Sequence, residues 1–437
     1  MRGELSADVI VIGAGAAGLA AAGQISRAGR SVLLLEARDR VGGRIRTRHE
    51  PGIAVPIELG AEFIHGSAPL TRALLDSAAC PVVHAADSHW SVHAGRLVRR
   101  DALFPQVIAA IGRTSVLQRR DMSFADFLSR YVRLPGEARQ FALRMAEGFD
   151  AVDTAQASAR ALVAEWTGDI LGEAPQSRPA HGYDCLLGAL LAPQQAGALQ
   201  LKTSATVRGV RWFRDQVRVA GDFAGIPFRA RARQAIVTLP LGVLQQSDPA
   251  AGAVHFSPPL TAKADALRLL ASGAILKMVL RFRSAFWEEI AQGRYRGAGF
   301  FHAPGAAIPT FWTAGARAPL LIAWVGGPPA ARLARRAPRA RLTLALRSLQ
   351  ALFGRAVDVP AEVRGCYEHD WQLDPHARGA YSYVRVGGDG ARADLARPLE
   401  DTLFFAGEAT DTHNESGTVA GALDSGRRAA AEVLGGA

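Results

Sequence analysis

Residues 7–47, ADVIVIGAGAAGLAAAGQISRAGRSVLLLEARDRVGGRIRT, decide the fold. Val9–Ile12 is a short β-branched run of the kind buried on both faces in a parallel sheet. Gly13, Gly15 and Gly18 follow in the spacing G-x-G-x-x-G. In a dinucleotide fold the first permits the tight turn, the second lets a pyrophosphate approach the backbone, and the third lets helix pack on strand. Ala16 and Ala17 open the turn into an alanine-rich segment, Leu19 to Arg27, of helical propensity. The N-terminus of that helix would point unpaired N–H groups at the phosphates. Ser31 to Leu35 reads as a second strand ending at Glu36, the acid expected to accept bonds from a ribose, followed by Ala37 and Arg38. Gly42, Gly43 and Arg44 then place a guanidinium where it would neutralise the same pyrophosphate.

The chain has 437 residues, of which 49% are hydrophobic. That is enough for two or three ordinary cores. No apolar run approaches the length of a membrane span, and with no charged-then-apolar stretch before the first strand no secretory leader is expected. The chain end, Gly435-Gly436-Ala437, carries no hydrophobic tail. The formal charge is +11. The basic residues are nearly all arginines spread along the chain, with lysine only at 202, 263 and 277. This reads as a solvated surface rather than a nucleic-acid footprint. Cys80, Cys185 and Cys366 lie far apart without ligand spacing, so no metal is expected, and buried thiols in a reducing cytoplasm fit best.

Ile57 to Phe63 reads as a strand running into a glycine turn. Residues 71–178 are dominated by helical periods, with His84, His89 and His93 in a loop-like region. Strands take over from Leu201 to Leu239 and recur at Ile275–Phe282, Leu320–Val325 and Leu403–Phe405, before a helix from about Gly417 to Leu434. The fold expected is α/β: a Rossmann-type domain from 1–75, 180–265 and 393–437, interleaved with an α+β substrate domain from 76–179 and 266–392. A ligand would lie between them.

Seven blocks in order carry a family resemblance: VIVIGAGAAGLAAA, LLLEARDRVGGRIRT, ELGAEFIHG, IVTLPLGVL, GAILKMVLRF, DPHARGAYSYV and FFAGEATDTHNESGTVAGALDSG. The chain resembles the flavin-containing amine oxidases, which include monoamine oxidases, polyamine oxidases and lysine-specific histone demethylases. The middle helical regions match weakly. The resemblance implies FAD, with its ADP half held by Gly13, Gly15, Gly18, Glu36, Gly43 and Arg44. It places the isoalloxazine ring against Gly60, Ala61, Glu62 and Phe63, and Trp371 among the cofactor contacts. Val207 would bond the adenine through its main chain. Gly407 and Glu408 would lie near the ribityl and phosphate region. Thr418 and Val419 would open a helix whose dipole faces the flavin N1/O2 edge.

Lys277 stands out in the apolar strand AILKMVL, because a buried lysine is costly unless paired. The resemblance makes it the residue that assists reaction of the reduced flavin with oxygen. Tyr381 is the second catalytic candidate, with Tyr383 a nearby competitor on the same face by alternation. In monoamine oxidases a cysteine before the matching tyrosine bonds the flavin. Here Ala380 stands there, so non-covalent FAD is expected. Thr418 occupies the second position of their tyrosine cage, as smaller residues often do in polyamine oxidases and histone demethylases. Glu62, His65, Trp324, Tyr381 and Thr418 are the implied substrate contacts.

The resemblance thus implies oxidation of an amine, polyamines first, by hydride transfer to flavin N5, imine hydrolysis and reduction of oxygen to hydrogen peroxide. The partners are then a small amine and O2, with no nucleic acid or membrane; nothing in the sequence gives the oligomeric state. The alternatives are an L-amino-acid or monoamine oxidase of the same layout, a chromatin-associated demethylase or binding protein, and a flavoprotein whose catalysis has decayed.

Overall fold

The computed structural model describes residues 4–100, 103–168, 175–191, 198–315 and 317–435; Gly436 and Ala437 of the chain end lie outside the described residues. The first strand, Val9–Ile12, is the centre of a parallel sheet in the order Leu199–Lys202, Val32–Leu35, Val9–Ile12, Gln234–Val237, Leu403–Phe405. Its alternation explains the continuous apolar run. Val9 and Val11 face a cluster formed with the helices Ala16–Arg27 and Val419–Leu434. Ile10 and Ile12 face a second cluster, under an antiparallel layer built from Ala205–Phe213, Gln216–Phe223 and Ile226–Ala232. Both faces are dry, so both need apolar side chains.

Gly18 is where the first helix touches the first strand. A Cβ there would sit 1.9 Å from the Gly13 carbonyl oxygen, so no larger residue fits.

The second region centres on a seven-stranded mixed sheet in the order Val363–Glu368, Ile275–Phe282, Leu320–Gly326, Thr310–Thr313, Phe300–His302, His89–His93, Arg96–Arg99. On Ile275–Phe282, Leu276, Met278, Leu280 and Phe282 point into the core behind the sheet. Val279 points to the opposite face, with Trp312 and Ile322. Period-two alternation puts Lys277 on that same face, opposite Trp324 in register.

Two expectations change. The 71–178 segment is rich in helices, but it also contains the strands Val82–His84, His89–His93 and Arg96–Arg99. His84, His89 and His93 therefore lie on strands rather than a loop. Pairing of His89–His93 with Phe300–His302 overrides a sequence too polar to read as strand. The stretch from Ile57 is strand only for Ile57–Glu58. Beyond it the chain runs irregularly, because Leu59 and Ala61 donate to the carbonyls of Arg46 and Arg44. The last helix opens as expected, with Thr418 as its cap and Val419 as its first residue. No helix among the described residues is long and apolar enough to cross a membrane.

Candidate active site

A cavity of about 1640 Å³ runs from Glu36 and Arg38, past Gly13 and Gly15, to Lys277 and Tyr381, then outward to Arg100 and His302. That exceeds the usual volume of a pocket for one small ligand. Every site residue named from the sequence lines it except Gly18, whose place is the helix–strand contact.

The first end is built for an anion and a nucleoside. The Ala16–Arg27 helix begins at Gly15 with no side-chain cap, so its leading N–H groups are open to the cavity. A Cβ at Gly15 would meet nothing within 4 Å, leaving room for close approach. Glu36 is buried, accepting from Ala14 N at 2.8 Å and from Arg38 N at 2.9 Å. The Arg38 side chain turns away to Asp374 at 2.7 Å. At Val207 the strand register slips, a bulge that interrupts the ladder where the chain lines the cavity.

The centre is a pinned backbone. A Cβ at Gly60 would lie 1.9 Å from Arg44 O, so the Gly-Gly-Arg arm and the Leu59–Ala61 segment can pack only with glycine there. Trp371 Nε1 donates to Leu59 O at 2.8 Å. Lys277 Nζ donates to Gly60 O at 3.0 Å and lies 2.8 Å from Glu62 Oε2. Lys277 is 4% exposed and Glu62 8%. Glu62 also has Arg178 at 3.2 Å and accepts from Trp312 Nε1 at 2.9 Å. Burial alone would push its carboxyl up; Lys277 and Arg178 overcome this and hold it below its ordinary range. Its oxygens are engaged by protein cations and an indole, so Glu62 fixes Lys277 in the cavity wall.

Tyr381 donates its hydroxyl to Phe149 O, and the backbone of Gly417 packs on its ring. Burial, then the carboxylates of Asp150, Glu165 and Glu408, hold its phenol far above the ordinary value. It is a neutral donor and a wall, not a base. Tyr383 also lines the cavity but packs against the helical cluster of residues 103–166. Thr418 lines the cavity, and its hydroxyl accepts from Gly421 N at 3.0 Å and donates to Glu415 O, capping the final helix. Val419 follows as the first helical residue. Glu408 and Arg44 pair at 2.9 Å, and Ser382 donates to Glu408 at 2.7 Å. The Arg44 charge is therefore already balanced, which departs from a guanidinium free for the pyrophosphate. Gly407 opens beside them, φ +129°, with nothing within 4 Å of a Cβ.

Trp324 donates to Gly148 O at 2.6 Å and packs on Trp312 with ring centres 5.3 Å apart. His65 meets the Phe149 ring edge-on at 5.3 Å; burial pushes its imidazole down to about 4, so it is neutral near pH 7. Ala380 lines the cavity where a tethering thiol would stand, and no cysteine lines it among the described residues.

Several lining residues escaped the sequence reading. Asp150 accepts from Trp166 Nε1 at 2.9 Å through one oxygen, while the other is buried with no hydrogen-bond partner among the described residues. Burial pushes Glu165 up to about 7, and burial together with the Glu165 charge raises Asp150. Both line the cavity near Tyr381, where burial favours their neutral forms. Further out, His89 and His302 stack with a 2.9 Å contact between ring nitrogens. Arg99, Arg100 and Arg144 line the mouth, and Arg100 is paired with Glu137. No periodicity or motif joins residues 150 and 165; only the aspartate-then-acid content of the helical region signalled them.

An uncapped helix start beside an acid-terminated strand, a pinned glycine segment and a buried lysine pair form the frame of a flavin-dependent amine oxidoreductase. A family model for flavin containing amine oxidoreductases matches residues 16–434, and the chain belongs to that family. Its cofactor is FAD, which the uncapped helix and the open cradle at Gly15 fit. The lysine-specific histone demethylase 1 homolog 2 of Oryza sativa subsp. japonica is 30% identical over 99% of this chain and 57% of its own length. Polyamine oxidase 3 of the same organism is 27% identical over 97% of this chain and 88% of its own. A solved wild-type putrescine oxidase bound to putrescine superposes with a TM-score of 0.79 at 23% identity, covering 99% of this chain and 100% of that one. The chain spans about half the length of the demethylases it matches.

Proposed function

We propose that this chain is an FAD-dependent oxidase of amines that carry a second cationic nitrogen, polyamines being the leading class. The observation that carries this is the Asp150–Glu165 pair: a buried acidic wall with an unpartnered oxygen, facing the same cavity as Lys277 and Tyr381. Such a pair is a cation subsite, since a bound ammonium would compensate the charge that burial otherwise suppresses. Glu62 cannot do this, because Lys277 and Arg178 already neutralise it.

FAD, held along the Gly13–Gly15 turn, Glu36 and the Leu59–Phe63 segment, would supply a hydride acceptor for the carbon beside the reacting nitrogen and a route for the electrons to dioxygen; the imine so formed would be hydrolysed by water. The chain's own residues orient and exclude. Trp324 and the neutral Tyr381, whose N–H and O–H are held by Gly148 O and Phe149 O, form an apolar slot. The neutral His65 adds no charge to oppose the second ammonium. The reacting nitrogen must arrive unprotonated, since its lone pair drives out the hydride. Lys277 offers a fixed positive charge where oxygen is reduced to peroxide.

A second reading, a carboxylate-bearing amine such as an L-amino acid, is favoured by Arg144, a part-buried cation in the cavity wall. The same basic mouth opposes entry of a basic histone tail. One anaerobic series tests all of these: bleaching of the bound flavin by putrescine, spermidine, spermine, acetylated forms, a monoamine and an L-amino acid. Fastest bleaching by a di- or polyamine is expected. Bleaching by the L-amino acid alone overturns the proposal in favour of the second reading.

A further inference from the structure

Behind the cavity, the turn from His181 to Cys185 enters the Asp184–Leu191 helix, which packs on the Pro69–Ser77 helix. Cys80 follows the latter. Although 105 positions of chain separate the two cysteines, folding gathers them with His181: one sulfur from each and one imidazole nitrogen lie within 4.8 Å of one another. Cys80 is 1% exposed, Cys185 partly buried and His181 exposed. The cluster thus has a dry floor and a solvent-facing mouth. No hydrogen bond or ion pair engages the His181 side chain among the described residues.

Two thiols and an imidazole are the donor set of a thiophilic d10 cation, and three ligands leave a fourth tetrahedral position for solvent at the open side. We propose that Cys80, His181 and Cys185 bind one such cation, with zinc(II) as the probe, clipping the two helices together. A disulfide is the competing use of adjacent thiols. Both thiols are free in the structure, and a cation supplies its own drive for their deprotonation.

The site is coupled to the cavity by short links. Tyr183 N donates to Glu58 at 2.7 Å, the Tyr183 hydroxyl donates to Phe63 O at 3.1 Å, and Asp184 N donates to Thr47 at 3.2 Å. The turn that carries two of the three ligands therefore braces both ends of the Leu59–Phe63 segment. Loading it should tighten that segment without touching the reacting groups.

The test uses the full-length flavoprotein, reduced, freed of metal and titrated with zinc against a chromophoric chelator, with cobalt(II) substituted in parallel. One equivalent bound, thiolate-to-cobalt charge-transfer bands and a rise in melting temperature are expected. Cys185→Ser should abolish all three, the exposed His181→Ala should weaken binding while keeping flavin content, and Cys366→Ser should change nothing. Substoichiometric zinc, absent thiolate bands, equal binding by Cys185→Ser, or a Cys80–Cys185 disulfide that forms in air and excludes metal would each overturn the proposal. His181→Ala keeps the test decisive if the cysteine variants fail to fold.

Discussion

Replacing Lys277 by methionine keeps the stem and removes the ammonium, and the structure fixes what that does. Glu62 loses a cation at 2.8 Å and keeps Arg178 at 3.2 Å and the Trp312 indole at 2.9 Å. Removing one partner of a buried pair costs about 3–5 kcal/mol; with Arg178 retained, the lower end, about 3 kcal/mol, is expected. The sign with pH follows from Glu62. Its folded carboxyl is held below the ordinary 4.5, so its stabilisation is present above pH 4.5 and lost as pH falls through the folded value. The gap between wild type and Lys277→Met in urea midpoint should therefore be widest near neutrality and close in acid. Adding Glu62→Gln should recover part of the loss, because removing both partners leaves no orphan charge. In stopped flow, the reduced variant should be reoxidised by air at least about tenfold more slowly, equivalent to roughly 1.4 kcal/mol of barrier. Equal urea midpoints from pH 4 to 8, or reoxidation at the wild-type rate, would refute the pairing argument or the oxygen role respectively.

Asp150→Asn and Glu165→Gln should each raise KM for a diamine by about tenfold, the scale of one lost charge contact, while a monoamine of equal length is turned over as before; steady-state kinetics on both substrates decides it. Acid precipitation should release all flavin into the supernatant, since Ala380 offers no thiol; flavin in the pellet would contradict it. Any limb near pH 6–7 in kcat/KM should survive His65→Asn, because burial already holds that imidazole down at about 4. Glu58 is pushed up to about 7 by burial. Its stabilising contribution is complete below about pH 4.5 and lost by about pH 7, a swing of up to about 3 kcal/mol, and Glu58→Gln should flatten that part of the stability–pH curve.

Much of the frame was legible because close packing leaves a local trace. The Val9–Ile12 run is apolar throughout because helices cover one face and an antiparallel layer the other. Gly18 is glycine because a carbonyl lies where its Cβ would be. Lys277 was legible as an anomaly, one cation in a strand that alternates into two apolar faces. Its partner was not. Glu62 reads as a substrate contact from its place beside the flavin segment, and only the fold brings Arg178 and Trp312 onto it. Thr418 was legible as a cap, because a threonine just before a helical run takes that place, and its two hydrogen bonds follow. His89–His93 was opaque because its strand exists through pairing with Phe300–His302 rather than through any preference of its own.

What distinguishes this chain from its relatives must then be sought off the frame. Relatives named for histone lysines, polyamines and putrescine share one fold with it, and a frame common to all cannot by itself select among them. The pinned Leu59–Ala61 backbone and the Lys277–Glu62 pair act on the ring side of the cavity, where every substrate meets the same chemistry. Selection then falls to side chains off that frame: Asp150 with its unpartnered oxygen, Glu165 in the same cavity wall, and the arginines at the mouth. These groups oppose one another. A buried acid pair draws a cation inward, while a basic rim slows approach of a densely charged one and spares a compact dication. If the proposed acidic subsite and the basic rim both act, short diamines should be preferred to long polyamines most strongly at low ionic strength. Added salt should narrow the preference by screening the rim more than the buried pair. A putrescine-to-spermine ratio of kcat/KM that is indifferent to salt would show that the arginines take no part in selection.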